Sequence, residues 1–290
     1  NEKAIQIVAG PCSVESEEQL FATARGLKKI GIQTLRGGIW KPRSRAHHFE
    51  GVGESGLRWL QRVLQELSMQ VAIPGLPLFC GSMHPDLFFV RDVDVNYAGV
   101  VKGRKEEFVR LGLTEKTHYL ASTGIQGQIA DSRSLVLLDA YAVDGLQAEQ
   151  IRFLHAPESL NPTYEYGVTF ERGTAVEYGD RKHIFISGTA SIDNRGEVVY
   201  PGNIAGQTRR MLLNIEALLK EAGSSLADLA KMIVYLRDIA DYPIVRDLME
   251  QQFPDVPKVI VLAPVCRPGW LIETECIAIK AGGNPEFRNL

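Results

Sequence analysis

The hydrophobic and polar positions of the chain fall into two regimes. In the first, short apolar runs alternate with amphipathic stretches. Ile5 to Ala9 reads as a short buried strand. Ser13 or Ser16 then caps a helix whose start carries Glu15, Glu17 and Glu18, where acidic side chains suit the helix dipole. Leu20, Phe21, Ala24, Leu27 and Ile30 share one helical face, and Gly31 ends the helix. Ile32 to Leu35 predicts a second strand. Ser55 to Leu67 predicts a second helix with Leu57, Leu60, Leu64 and Leu67 apolar, and Val71 to Ile73 begins a third strand. The order β-α-β-α-β opens an α/β barrel or an open sheet. The cluster Ile73-Pro74-Gly75-Leu76-Pro77 breaks the pattern, and Leu78 to Val90 is rich in Phe and Leu without a clear period. The boundary is therefore placed at 74–90, as a linker.

The second regime is richer in strands. Ser134 to Val143, Gln150 to His155, Thr174 to Tyr178 and His183 to Ser187 read as strands, the last two separated by the Gly179-Asp180 turn. Val198 to Tyr200 closes a hairpin through Asp193-Asn194-Arg195-Gly196. Asn203 caps a long helix to about Glu221, with Ile204, Met211, Leu212, Ile215, Leu218 and Leu219 as its apolar stripe and Gly223 as its stop. A strand at Lys231 to Arg237 follows. A helix then starts after Asp241 with Pro243 in its first turn, and strands at Lys258 to Ala263 and Trp270 to Lys280 close the chain. The last hundred residues thus read ββ-α-β-α-ββ, an α+β arrangement with helices on one face of a mixed sheet.

Composition narrows the function. The chain has 290 residues, 45% of them hydrophobic, which is room for one large domain or two ordinary ones. A net charge of -3 gives no basic footprint for nucleic acid. Apolar stretches fall far short of the ~20 residues of a membrane helix. No charged-then-apolar leader opens the sequence, so a cytoplasmic protein is expected. Cys12, Cys80, Cys266 and Cys276 show no CxxC spacing and read as reduced thiols. The six histidines show no ligand spacing.

Candidate chemistry sits in the last strand. Glu273 and Glu275 alternate on one face, roughly 6.5–7 Å apart. Two carboxylates that close raise each other's pKa, and one can then stay protonated near neutral pH. A neutral Glu is what protonation of an enol ether or enamine carbon requires. Arg267, just before this strand, offers a bidentate guanidinium for a substrate carboxylate.

Six segments carry a resemblance. HIFISGTASID (183–193), QTRRMLLNIEALL (207–219) and IETECIAIK (272–280) resemble the Rid/YjgF family. LASTGIQG (120–127) and YEYGVTFERGTAV (164–176) look like a diverged first copy, and with VCRPGWLIE (265–273) the layout is similar to chorismatases, which hydrolyse the enolpyruvyl ether of chorismate. The resemblance implies two Rid/chorismate-mutase-like units, a diverged one at 91–180 and a second at 181–283. It implies a trimer or pseudo-trimer with pockets between units. It implies a small anionic metabolite as partner and no cofactor. Glu273 matches the family's active-site glutamate. Arg172 lies in the matching region of the first copy, and Thr189 and Ser191 lie in the loop that lines the family's pocket. Where imine-deaminating Rid proteins hold the substrate carboxylate with arginine, this sequence places Lys258, a point charge without the fork.

GPCSVES (10–16) and RGGIWKPRSR (36–45) resemble the start of a DAHP synthase, the first enzyme of the shikimate pathway. By that resemblance Arg36, Lys41 and Arg43 grip phosphoenolpyruvate and Cys12 ligates a divalent metal. The match spans residues 1–73, a truncated start of a TIM-type barrel that would need a metal only if active. The expected function is thus hydrolysis or deamination of an enolpyruvyl or imino carboxylic acid. The alternatives are a synthase-type aldol condensation from the N-terminal part and a non-catalytic Rid-like sensor. Both resemblances touch chorismate metabolism.

Overall fold

A computed structural model describes residues 8–11, 13–39, 52–72, 83–127, 134–143 and 145–289. The chain divides into two compact units, one of residues 1–78 with 130–134 and one of 79–129 with 135–290.

In the first unit, strand β1 (Val8–Ala9) is followed by helix α1 (Glu17–Lys29), β2 (Thr34–Arg36), α2 (Glu54–Leu67) and β3 (Gln70–Ala72). Ser16, not Ser13, is the N-cap of α1, its side chain accepting from the Gln19 backbone N–H. The strands are parallel in the order β1-β2-β3. Leu20, Phe21, Ala24, Leu35, Leu60, Val63 and Met69 form the core between sheet and helices. Two expected members of the helical stripes, Ile30 and Leu64, are exposed instead. Ile30 is already the C-cap residue, and Val63 takes the inward position beside Leu60. Gly10 explains part of its motif: a Cβ there would stand 2.0 Å from the Arg36 carbonyl oxygen. Among the described residues this unit keeps the expected β-α-β-α-β order as a three-stranded parallel sheet.

The second unit holds two sheets. Strand β4 (Met83–Val90) lies inside the segment expected to be a linker. It is the central strand of a three-stranded sheet, parallel to β5 (Ser122–Gln126) and antiparallel to β6 (Val136–Ala142). Its Phe- and Leu-rich run has no alternation because Leu87, Phe88 and Phe89 are all partly covered. Helix α3 (Val93–Arg110) crosses from β4 to β5. The larger sheet has the order β11-β10-β12-β9-β8-β7. Its strands are β7 (Ile151–Leu154), β8 (Gly173–Glu177), β9 (Arg181–Ala190), β10 (Leu229–Leu236), β11 (Lys258–Leu262) and β12 (Ile272–Ala281). Helices α4 (Ile204–Glu221) and α5 (Tyr242–Gln252) complete the unit. β8 and β9 form one hairpin across residues 178–181, so a single sheet runs through the expected division at residue 180. At Val198 the expected hairpin strand is only an isolated bridge to Ile192.

The small sheet repeats part of the large one. In β5-β4-β6, Val90 pairs with Gln126 on the parallel side and Val136 on the antiparallel side. In β11-β10-β12, Leu236 pairs in the same way with Leu262 and Ile272. Each triplet is a strand-helix-strand crossover followed by an antiparallel third strand. Counting along β6 and β12 from these pairs, Leu137 stands where Glu273 stands, and Asp139 where Glu275 stands.

The core explains the long helix. Ile204, Met211, Leu212, Ile215, Leu218 and Leu219 of α4 are all buried against the sheet, as their spacing predicts. Asn203 caps the helix, accepting from the Gly206 N–H at 2.9 Å. Two buried amides on the same helix hold the sheet's active end. Asn214 donates to the carbonyls of Ala190 (3.0 Å) and Ile192 (2.9 Å) at the end of β9. Gln207 donates to Gly269 O (3.1 Å) and accepts from Leu271 N (3.0 Å), clamping the turn that leads into β12. Among the described residues no helix is long and apolar enough to cross a membrane.

Candidate functional site

The alternation of β12 sorts its side chains. Ile272, Cys276 and Ala278 enter the core beneath α4, and the odd residues turn to the opposite face. There Glu273 is 2% exposed. A β-bulge prepares its place. Thr274 pairs with Thr189 and Cys276 with Ile186, so Ser187 and Gly188 of β9 together oppose Glu275. The bulge is stitched to β5: Ser122 N donates to Ser187 Oγ, and Gly188 N donates to Thr123 Oγ1, both at 2.9 Å. Glycine is required at 188 because a Cβ would stand 2.0 Å from Glu273 Oε1. Gly188→Ala is therefore expected to displace the carboxyl and cut turnover on the order of 10²-fold. Circular dichroism should show the fold retained, and unchanged turnover in that folded variant would remove Gly188 from the site.

The carboxyl faces a small cavity of about 30 Å³, room for about one water. Arg104, Cys266, Arg267, Trp270, Tyr97 and Tyr166 are among its walls. Burial pushes Glu273 up to about 8, the neighbouring Glu275 adds to the rise, and Arg172 opposes it. Glu273 Oε2, Arg104 Nε and Trp270 Nε1 are buried without a hydrogen-bond partner among the described residues. Unpaired buried polar atoms are costly, and their convergence is what a site built for a polar ligand requires.

Arg104 and Arg267 line the cavity with the carboxyl, and Arg172, which lines a different one, acts on its charge. Arg172 is buried, stacked between Tyr166 and Phe170 (5.4 Å to each ring centroid), and donates to the Asn161 carbonyl and side chain at 2.9 and 3.0 Å. Arg267 is exposed and lies over Tyr166 (4.8 Å) and Trp270 (5.5 Å). Arg104, on α3, donates to Ser122 Oγ at 2.8 Å and pairs with Asp86 at 3.1 Å, with side-chain exposures of 11% and 2%. Burial raises the Asp86 pKa, while Arg104 and Ser122 oppose the rise. Cys266, one of the four cysteines read as reduced thiols, lines the cavity and donates its thiol to the Gly124 carbonyl. Burial is the main cause that pushes its pKa up, with Glu273 next.

The other candidates lie elsewhere. Glu275 lines a separate cavity on the same sheet face, its pKa raised chiefly by burial. Lys258 is tied to α5, donating to Phe253 O (2.8 Å) and pairing with Glu250 (3.1 Å), and it lines neither cavity. Thr189 donates its hydroxyl to Ser187 O and Ser191 to Val199 O, at 2.8 and 2.7 Å, which is local turn chemistry. In the first unit Arg36 ends β2, while Cys12, Lys41 and Arg43 lie outside the described residues. Among the described residues no group of three His, Cys, Asp or Glu side chains is arranged to hold a metal.

A helix-backed mixed sheet, with a desolvated acid on its free face and guanidinium groups around it, defines an α+β domain of the Rid/chorismatase fold. Residues 173–280 match the family model for endoribonuclease L-PSP, and through this segment the chain belongs to that family. The 3-aminoacrylate deaminase RutC of Acinetobacter baylyi is 34% identical over 97 residues, 33% of this chain and 77% of that protein. The likeness to a 3-hydroxybenzoate synthase of Streptomyces hygroscopicus is longer, 29% over 200 residues, 63% of this chain and 57% of that one. The crystal structure of a chorismatase superposes with a TM-score of 0.57 at 20% identity, covering 77% of this chain and 69% of that chain, a likeness of fold. Residues 1–87 match the DAHP synthetase I family. A phospho-2-dehydro-3-deoxyheptonate aldolase of Thermotoga maritima is 44% identical over 70 residues, 24% of this chain. The chain spans only 21% of that aldolase's length.

Proposed function

We propose that the chain cleaves the enolpyruvyl ether of a small dicarboxylic acid of the chorismate type, with Glu273 as general acid. The observation that carries this reading is the buried Glu273 carboxyl, its pKa raised to about 8 by burial, in a cavity lined by Arg104 and Arg267. The long likeness to a 3-hydroxybenzoate synthase supports it.

In this mechanism Glu273 gives its proton to the methylene carbon of the enolpyruvyl group, leaving an oxocarbenium ion. Water adds to the cationic carbon and returns a proton to the Glu273 carboxylate. The resulting hemiketal breaks its bond to the ring oxygen, giving pyruvate and the ring alcohol. Arg267, in the cavity wall, holds a substrate carboxylate, for which the guanidinium fork is suited. Ligand sites are usually about 300–1,000 Å³, so entry of this substrate requires the cavity to widen. No cofactor takes part, and we further propose a cytoplasmic homo-oligomer.

A second reading, imine deamination, rests on the identity to RutC. Glu273 would then protonate an enamine carbon, with Arg267 in the role that the sequence gives to Lys258. Incubating the purified chain with chorismate, and separately with a freshly generated 2-imino acid, tests both. Pyruvate released from chorismate, indifferent to chelator, is the expected result. Ammonia from the imino acid alone would replace the first reading by the second. Turnover of neither would leave a binding role, and a chelator-sensitive condensation would move the activity to the N-terminal unit.

A further inference from the structure

The larger opening in this unit is not the one that holds Glu273. A cavity of about 480 Å³ lies between β6 of the small sheet and the free face of β9 and β12. It has the size of a small-molecule site and shares no lining residue with the Glu273 cavity. One wall is apolar, built from Ile277 with the rings of Tyr141 and Phe185, whose centroids are 5.6 Å apart. Three carboxylates line it: Asp139 on β6, Glu275 on β12, and Asp86, which is paired with Arg104; the exposed Lys231 contributes one ammonium and His183 an imidazole.

By formal charge the walls carry more carboxylate than ammonium. Burial is the main cause that raises the Glu275 pKa; Thr123, Lys231 and Tyr235 oppose the rise, and the repulsion from Asp139 is the smallest contribution. Two like charges facing one cavity disfavour each other, and a cation between them removes the conflict. An ammonium beside aromatic faces gains further from the ring quadrupoles. A carboxylate on the same ligand would complement Lys231, and an apolar side chain would cover Tyr141, Phe185 and Ile277.

We infer that this cavity is a second ligand site, for the zwitterion of an α-amino acid with a large apolar side chain. Its ammonium sits between Asp139 and Glu275, its carboxylate meets Lys231, and its side chain packs on the apolar wall. The site stands independently of the reaction assigned to Glu273.

Calorimetric titration of the full chain with L-phenylalanine tests this. Saturable binding of one equivalent is expected, at least tenfold weaker for phenethylamine and for 3-phenylpropionate, each of which lacks one of the two charges. Asp139→Asn and Lys231→Ala alter exposed side chains, and each should weaken phenylalanine at least fivefold. Glu273→Gln should leave the affinity unchanged. The inference is overturned by the absence of phenylalanine binding at millimolar concentration, whether or not sedimentation shows a second copy covering this face. It is equally overturned by phenethylamine binding as well as phenylalanine, by unaltered affinity in both Asp139→Asn and Lys231→Ala, or by loss of binding in Glu273→Gln.

Discussion

Glu273→Gln is expected to lower pyruvate release from chorismate on the order of 10²–10⁴-fold, because glutamine keeps the shape of the side chain and removes its acid proton. The wild-type rate should fall tenfold per pH unit above about pH 8, where Glu273 loses that proton. The Glu275 charge helps to hold the Glu273 pKa up, so Glu275→Gln should move this limb to lower pH. A coupled pyruvate assay from pH 6 to 10 reads all three. A Glu273→Gln variant with more than a tenth of wild-type turnover would sink the acid assignment. The same proton is linked to stability. Its folded-state pKa lies above the ordinary value of 4.5, so the contribution is fully present below pH 4.5 and is lost as pH rises towards 8. Across that window the wild type should lose about 3–5 kcal/mol relative to Glu273→Gln in urea titrations.

Asp86→Ala should destabilise the chain by about 3–5 kcal/mol, the usual cost of leaving one member of a buried ion pair uncompensated. Asp86 is buried and Arg104 largely so, and Arg104 has no other carboxylate partner among the described residues. Adding Arg104→Met should recover most of the loss, since replacing both charges removes the stranded one. Urea denaturation of the two variants decides the matter. A single variant within 1 kcal/mol of wild type, or a double variant no better than the single, would show that the pair is not what holds β4 to α3.

Much of the candidate site could be read from the sequence because its signals are local. Alternation along IETECIAIK places Glu273 and Glu275 on one face, and the structure adds what alternation cannot give, namely that they open into different cavities. The stripe and cap of α4 follow from spacing and from Asn203. Arg104 and Tyr97 were not legible, because the helix carrying them was not. Asp92 at the start of α3 is in the left-handed region (φ 46°) and makes no capping bond, and only Val93 and Phe108 of the helix are buried. A weakly amphipathic, uncapped helix sends no clear signal. Lys258 illustrates the opposite case. Its position by resemblance suggests a ligand contact, but a neighbouring helix end, through Phe253 O and Glu250, takes up its ammonium. β4 was hidden because a strand covered on both faces loses its alternation.

The matching strand triplets have a consequence for mass action. Tyr97, Arg104, Ser122 and Gly124 come from the small-sheet half, while Glu273, Cys266 and Trp270 come from the other. In a site assembled from separate chains, these halves would meet with a probability set by protein concentration. Here one covalent chain joins them, so the encounter is intramolecular and its effective concentration is fixed by the polypeptide. Dilution cannot take the two halves apart, and only one of them needs to keep the acid: Leu137, at the place that corresponds to Glu273, is free to be apolar.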